Sequence, residues 1–355
     1  MPYQLPKTMK AVAKTGRHAG LEMIEVPVPR PGPREVLVKV RANSICGTDL
    51  HILHWDPWAE DRMQPPLIIG HELCGNVVAL GEEVEDVALG TYIAAESHIV
   101  CGRCVFCRTG RGHICRNTRI IGVDRDGAFA EYIALPAENL FAVPADMPPE
   151  IATLQENFGN AVHTAFATNM AARKVLVTGC GPVGAMVIPV AKAAGARSVF
   201  ATDVSDYRLD LARRMGATLT LNPLRDDVVA RVLEETDGEG VDVLLEMSGA
   251  PQAIEAGFRA LKFGGEAALL GLPREPMVFD LANDVIFKGA TVTGIVGRKL
   301  WETWYQAAGL QRSGSVHLGE VVTHRFPIDR FADAFACMES GESGKVVMLW
   351  EETTP

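Results

Sequence analysis

The chain has 355 residues, 48% of them hydrophobic and 22% charged, and a formal net charge of -10. That length accommodates two domains with separate cores, the composition is that of a soluble globular protein, and the negative balance repels a polyanion at long range. No run of about eighteen uncharged apolar residues occurs, so no membrane span is expected.

The opening, MPYQLPKTMKAVAK, lacks an apolar core behind its positive residues and is not read as a secretory signal. Up to about residue 160, Gly and Pro cut the chain into short β-rich runs. These are MKAVAK from Met9, LEMIEVPVPRPGP from Leu21, EVLVKVRA from Glu35, GNVVALG from Gly75, GTYIAAES from Gly90 and AEYIALP from Ala130. They predict a compact antiparallel barrel or sandwich. Apolar strands then alternate with helical stretches: VLVTG from Val175, a helix over 182–194, SVFATD from Ser198 and a helix over 207–215. TLTLN from Thr218, a helix over 228–235, VDVLLE from Val241, a helix over 252–261 and EAALLG from Glu266 continue the series. Such alternation predicts a doubly wound parallel sheet with helices on both faces. From about Gly297 the pattern reverts, with a helix over 301–310, VVTHRF from Val321, a helix over 331–338 and KVVMLW from Lys345. The fold class is therefore α/β, with a β-rich catalytic domain (1–158 and 297–355) into which a nucleotide domain (159–296) is inserted. No internal repeat or low-complexity segment interrupts it.

Cys101, Cys104, Cys107 and Cys115 lie within fifteen residues, in CGRCVFCRTGRGHIC. Spacing this tight aims four thiolates at one point and completes the closed tetrahedral shell of a structural zinc. Tight disulfides are the alternative, but a long aliphatic chain does not need cystine staples. The same lobe carries Arg103, Arg108, Arg111 and Arg116 with no acid between Glu96 and Asp124. That is a nucleic-acid-binding pattern, set against a solvated or subunit-facing lobe, which the acidic balance of the chain favours. Cys46, Cys74, Cys180 and Cys337 are scattered singly, as in a reducing cytoplasm. No purpose for Cys74 or Cys180 can be derived.

Gly179, Gly181 and Gly184 follow the apolar strand 175–178 and open an apolar helix, the context in which GxGxxG is informative. Gly179 permits the tight turn, Gly181 the close approach of a pyrophosphate, and Gly184 helix–strand packing, while the helix N-terminus offers unpaired N–H donors. Pro182 suits a first helical turn, whereas Pro189 predicts a kink or a shorter helix. Asp203 ends the next strand, where a carboxylate binds a ribose diol and repels a 2′-phosphate, so NAD is expected over NADP. Arg208 tempers this as a possible phosphate partner. The alternative is an apolar βαβ unit that binds no nucleotide. Thiolate, imidazole and carboxylate at Cys46, His71, Glu72 and Glu156 are competent zinc ligands, though each also reads as a core cysteine, a turn histidine or a surface acid. His71 and Glu72 are adjacent, and adjacent strand side chains diverge; both reach one metal only if the backbone turns at Gly70.

Taken together, these residues resemble the zinc-dependent medium-chain dehydrogenase/reductase superfamily along the whole chain. The resemblance rests on CGTD at Cys46, GHE at Gly70, the four-cysteine lobe and TGCGPVG at Thr178. CGTDLHI, HWDPW at His54, GNAVHTA at Gly159, SDYRLDLA at Ser205, VIFKG at Val285 and GRKLWETWY from Gly297 look like its threonine-oxidising branch.

The resemblance implies a GroES-like catalytic domain with a Rossmann-type domain, and two zinc ions per subunit. The catalytic zinc falls to Cys46, His71 and Glu72, with Glu156 a nearby acid that ligates intermittently or assists proton transfer. Thr48 and His51 match the proton relay, and His98 a histidine near the substrate. Val183, Asp203, Arg208, Leu270, Gly271, Leu272, Ile295 and Val296 match cofactor contacts. Relatives commonly have proline where this chain has Asn157, which puts the role of Glu156 in question. The implied reaction is zinc-assisted alkoxide formation and hydride transfer from the L-threonine 3-hydroxyl to NAD, in a cytoplasmic homotetramer. A polyol or secondary-alcohol dehydrogenase of sorbitol or butanediol type is the enzymatic alternative, and a non-catalytic nucleotide-binding protein the alternative from another class. Trp301 and Trp304 read equally as pocket, subunit contact or core.

Overall fold

The structure, a computed structural model, describes residues 5–350; the first four residues of the opening read above, and residues 351–355 at the end of the expected catalytic domain, lie outside the described residues. The chain divides into two compact units. The first holds the chain up to Glu156, His324–Ser340 and the chain from Lys345, and the second holds Asn157–Thr323 and Gly341–Gly344.

The first unit opens with strands β1 (Thr8–Lys14), β2 (Glu22–Pro27) and β3 (Glu35–Ser44), then two short helices, α1 (Gly47–His54) and α2 (Pro57–Arg62). Strands β4 (Leu67–Ile68), β5 (Glu72–Leu80), β6 (Tyr92–Ala95) and β7 (His98–Ile99) follow, then helix α3 (Val105–Arg108) and strands β8 (Arg119–Ile120), β9 (Tyr132–Pro136) and β10 (Leu140–Ala142). Helix α4 (Pro149–Ala152) leads into α5 (Gln155–Phe166), within which the chain passes to the second unit.

The β-branched strand β3 is the centre of an antiparallel sheet, with Val38 opposite Val77 of β5 on one side and Ile133 of β9 on the other. Val36, Val38, Val40, Leu73, Val77, Ile93, Ile133 and Leu135 form one core beneath it. A second core gathers Ile45, Ile52, Ala59, Met63, Ile69, Phe129, Phe335 and Met348. Through Ile52 and Ala59 it anchors α1 and α2, a stretch to which the sequence reading assigns no element. Fully burying an aliphatic side chain such as Ile52 contributes about 1.5–3 kcal/mol.

The second unit contains β11 (Lys174–Thr178), α6 (Pro182–Ala193), β12 (Ser198–Thr202), α7 (Asp206–Arg214), β13 (Leu219–Leu221), α8 (Val228–Glu234) and β14 (Val241–Glu246). Helix α9 (Pro251–Ala260), β15 (Leu261–Leu269), β16 (Thr291–Gly294) and α10 (Glu302–Arg312) complete it. Its six strands run parallel in the order β13-β12-β11-β14-β15-β16. The order reverses between β11 and β14, the switch point at which such sheets bind ligands beyond the carboxyl ends of their strands. The chain then re-enters the first unit through β17 (Val322–Pro327), α11 (Phe331–Glu339) and β18 (Lys345–Leu349), the last pairing with β3.

Two expectations shift. Residues 297–323 belong to the second unit, because His163 bonds the Gly297 carbonyl through Nδ1 (2.8 Å) and Arg298 donates to Asn160 (3.2 Å). And α6 is not shortened at Pro189 but continues to Ala193. Seven buried side chains and glycine positions from Gly184 to Ala191 pack along it, enough to offset the roughly 3 kcal/mol that an interior proline costs.

Candidate functional site

The first metal-binding constellation lies in the first unit, at the junction of β3 with α1. Cys46 is the N-cap of α1, and Asp49 three residues on returns its carboxylate to the Cys46 N–H (2.9 Å). This reciprocal cap fixes the backbone that carries the thiol. His71 arrives from the bend before β5. Gly70 has φ +89°, and a Cβ there would come within 2.1 Å of the Phe129 ring. The turn demanded by the adjacent His71 and Glu72 is thus made, and only glycine fits it. Ligand atoms of Cys46, His71 and Glu72 all lie within 4.8 Å of one another.

The charges around this cluster are unusual. His71 Nδ1 lies 3.7 Å from Asp49 Oδ1, and both atoms are buried without a hydrogen-bond partner. Burial alone would push the His71 imidazole towards its neutral form, but Asp49, Cys46 and Glu156 outweigh it and raise its pKa to about 10. Asp49, for its part, is raised by burial to about 6, against the opposing pull of His71. Glu72 is fully buried and held by Lys345 Nζ, at 2.7 Å to one oxygen and 2.6 Å to the other, and by the Ser44 hydroxyl. Although burial favours a neutral amine, Glu72 and Cys46 raise the Lys345 pKa. Glu156 accepts from the Ser97 hydroxyl at 2.6 Å. A thiolate, an imidazole with an orphaned nitrogen and a carboxylate converging in a buried, anionic pocket fit a zinc ion, which prefers these donors.

Thr48 and His51 occupy positions three apart on α1, one face of the helix. The Thr48 hydroxyl lies 3.9 Å from the Cys46 sulfur. His51 Nδ1 meets Asp56 at 2.5 Å. His98 sits on β7, its N–H donating to Glu96 (2.9 Å) and its carbonyl accepting from Asn139 (3.1 Å).

In the four-cysteine lobe, Cys104–Cys107 and Cys101–Cys115 sulfurs are 3.5 Å apart and Cys104–Cys115 3.9 Å. A tetrahedral shell with Zn–S bonds of about 2.3 Å has edges of about 3.8 Å, whereas a disulfide would bring two sulfurs to about 2.05 Å. All eight cysteines are free thiols, so the disulfide alternative is set aside. The backbone N–H groups of Cys101 and Asn117 donate to the Cys115 sulfur, as second-sphere groups do around thiolates. Arg111 and Arg116 lie over the ring of Phe106, at 5.3 and 5.2 Å.

In the second unit, each glycine of the loop after β11 meets a distinct demand. Gly179 has φ +88°; a Cβ at Gly184 would come within 1.9 Å of the Gly179 carbonyl; a Cβ at Gly181 would meet nothing within 4 Å. Open space over Gly181 at the N-terminus of α6 leaves room for a phosphate. Asp203, just past β12, accepts from the N–H of Cys180 (2.7 Å) and of Ser205 (2.9 Å). Arg208 is close enough to act on the Cys180 thiol, and its Nε is buried without a partner. Val183 lies in the first turn of α6. Leu270 and Gly271 donate to the Glu246 carbonyl at the end of β14, at 2.9 and 3.1 Å. Leu272 is exposed, while buried Ile295 and exposed Val296 follow β16. The residues expected to contact the cofactor therefore gather at the carboxyl ends of β11, β12, β14, β15 and β16.

Several functional neighbours escaped the sequence reading. Asp49 and Asp56 had a signal, an acid at capping distance from Cys46 and an Asp-Pro helix start. Lys345, 273 residues from Glu72, had none. Neither did Ser97, nor Glu246, whose buried carboxylate gathers the N–H groups of Ser248 (2.9 Å) and Gly249 (3.1 Å).

Fold and site together define a zinc-binding, nucleotide-dependent dehydrogenase. The family model of the alcohol dehydrogenase GroES-like domain matches residues 32–145, and that of zinc-binding dehydrogenases matches 182–312. The chain belongs to the zinc-binding medium-chain dehydrogenase family. It is 51% identical to the L-threonine 3-dehydrogenase of Symbiobacterium thermophilum over 346 residues, 97% of this chain and 99% of that protein. It is 49% identical to the L-threonine 3-dehydrogenase of Pyrococcus horikoshii, with the same coverage. A zinc-binding dehydrogenase from Sinorhizobium meliloti, solved bound to NADP, superposes with a TM-score of 0.90 at 32% identity, covering 97% of this chain and all of that one.

Proposed function

We propose that the protein oxidises the 3-hydroxyl of L-threonine to 2-amino-3-oxobutanoate, with NAD as the acceptor. The observation that carries this reading is full-length similarity to L-threonine 3-dehydrogenases, joined to a ligand cluster capping the helix that presents Thr48 and His51.

Cys46, His71 and Glu72 would hold the catalytic zinc, with Lys345 balancing Glu72 and Glu156 nearby. When bound, zinc would supply a Lewis acid to the substrate hydroxyl, and NAD would supply the hydride acceptor. Thr48 takes the hydroxyl proton, since a threonine hydroxyl both donates and accepts. His51, half-exposed on the same face of α1, passes it to solvent. His98 lies beside the substrate. Gly179, Gly181, Val183 and Gly184 with the N-terminus of α6 receive the pyrophosphate, and Asp203 the ribose diol, which favours NAD over NADP. Arg208, Leu270, Gly271, Leu272, Ile295 and Val296 flank the rest of the cofactor. Cys101, Cys104, Cys107 and Cys115 hold the second zinc of each subunit.

We place the enzyme in the cytoplasm, where cysteines outside disulfides stay reduced. No helix among the described residues is long and apolar enough to cross a membrane. The assembly is a homotetramer: β16 is an edge strand, and Val292 on it, with Phe263, Val278, Ile286 and Phe287, leaves apolar surface exposed in the second unit.

The test is NADH formation with L-threonine, against D-threonine, L-serine, 2,3-butanediol and sorbitol, before and after metal chelation. Chelator-sensitive preference for L-threonine is expected. Turnover of a diol or polyol alone would move the substrate assignment to the secondary-alcohol type. Silence on every alcohol with zinc and NAD bound would make the protein a non-catalytic nucleotide binder.

A further inference from the structure

Asp56, within the HWDPW string, carries no role in the reading above, yet both of its carboxylate oxygens are committed. Oδ1 accepts from the Ala59 N–H at 3.1 Å and so caps α2, while Oδ2 meets His51 Nδ1 at 2.5 Å. The Asp56 N–H donates to the His51 carbonyl (3.3 Å), closing the turn between α1 and α2. The Trp58 ring, from the first turn of α2, flanks the imidazole at 5.9 Å between centroids. His51 is thus clamped at its backbone, at one ring nitrogen and on one side of the ring.

A carboxylate can only accept. Burial opposes ionisation of Asp56, but His51 and the Ala59 N–H outweigh it and hold its carboxyl below the ordinary range. The neutral imidazole must then carry its proton on Nδ1, leaving the lone pair on Nε2. We propose that Asp56 is a positioning residue that holds His51 in the Nδ1–H tautomer, so that Nε2 is the nitrogen that takes the proton in transit. This rests on the relay role of His51 given above. It follows the logic by which a buried aspartate orients the histidine of a serine-protease triad, where Asp→Asn leaves the geometry but inverts the tautomer.

Asp56→Asn is the discriminating variant. Asparagine caps a helix about as well as aspartate, so its single oxygen stays on Ala59 and its NH2 group faces His51. The ring then has to accept at Nδ1 and carry its proton on Nε2. Long-range nitrogen-15 NMR of the zinc-loaded enzyme reads the tautomer directly, with His51→Gln assigning the signal. The expected result is an exchange of the His51 ring signals in Asp56→Asn and a thermal midpoint close to that of the parent. The fall in kcat is about tenfold, below the usual range for general acid–base groups because solvent reaches the ring, and KM for NAD is unchanged. A His51 that stays protonated on Nδ1 in Asp56→Asn overturns the proposal. So does an exchanged tautomer with full kcat, provided His51→Gln is slow. An exchanged tautomer with His51→Gln fully active upholds the hold of Asp56 on the ring and overturns the relay role instead.

Discussion

At the scale of single residues, the proposed metal cluster would couple zinc binding to protons. Zinc binds the neutral imidazole, yet Asp49, Cys46 and Glu156 lift His71 to about 10 against its burial. At neutral pH the metal must therefore displace a proton from His71. The charged imidazole contributes to stability fully below the unfolded value of about 6.5, and that contribution is lost as pH rises through about 10. Zinc affinity should accordingly keep rising with pH well beyond 7. Titration calorimetry at pH 8 in buffers of different ionisation enthalpy measures this, and uptake without proton release would contradict it. Asp203 carries a second prediction. Asp203→Ala should reduce the kcat/KM preference for NAD over NADP. It should also cost about 1–3 kcal/mol in denaturant melts, because the buried Cys180 N–H loses its acceptor. An unchanged preference would assign cofactor selection to another group.

At the scale of elements, the loop between β11 and α6 separates folding from binding within three positions. Gly184→Ala would drive a methyl to 1.9 Å from the Gly179 carbonyl, so this variant should unfold at markedly lower temperature. Gly181→Ala meets nothing within 4 Å, and Gly181 has φ -59°, which any residue adopts. It should melt like the parent but bind NAD at least tenfold more weakly, through the methyl standing where the pyrophosphate approaches. Equal melting of the two variants, or intact NAD affinity in Gly181→Ala, would refute the division of labour. Helices α1 and α2 show the opposite situation. Their sequence, GTDLHILHWDPWAEDR, has too weak a helical period to be recognised, and they exist because Ile52, Ala59 and Met63 enter a core built from strands distant in sequence.

For the molecule as a whole, the two proposed zinc sites answer to different measurements. Cys107→Ser should lower thermal stability or break up the assembly first, since in the proposed site four thiolates would close the shell and leave no position for substrate. Loss of hydride transfer alone, at unchanged stability, would contradict this. Sedimentation should report a tetramer, and Val292→Lys on the edge strand β16 should shift it to smaller species, because an edge lysine opposes strand pairing. A monomeric parent would remove that proposal.

Local geometry was legible in the sequence alone. The cysteine spacing, the glycine loop and the turn at Gly70 each depend on residues a few positions apart, where backbone geometry leaves few choices. The strand–helix alternation likewise carried the parallel sheet. Only the tertiary structure decided that Lys345 neutralises Glu72, that Ser97 holds Glu156, and that residues 297–323 stay with the second unit. It also carried α6 through Pro189, since buried packing outweighed a local penalty. Contacts between residues hundreds of positions apart leave no periodic trace in the chain. They arise only when burial removes water and makes an unpaired charge too costly to leave alone.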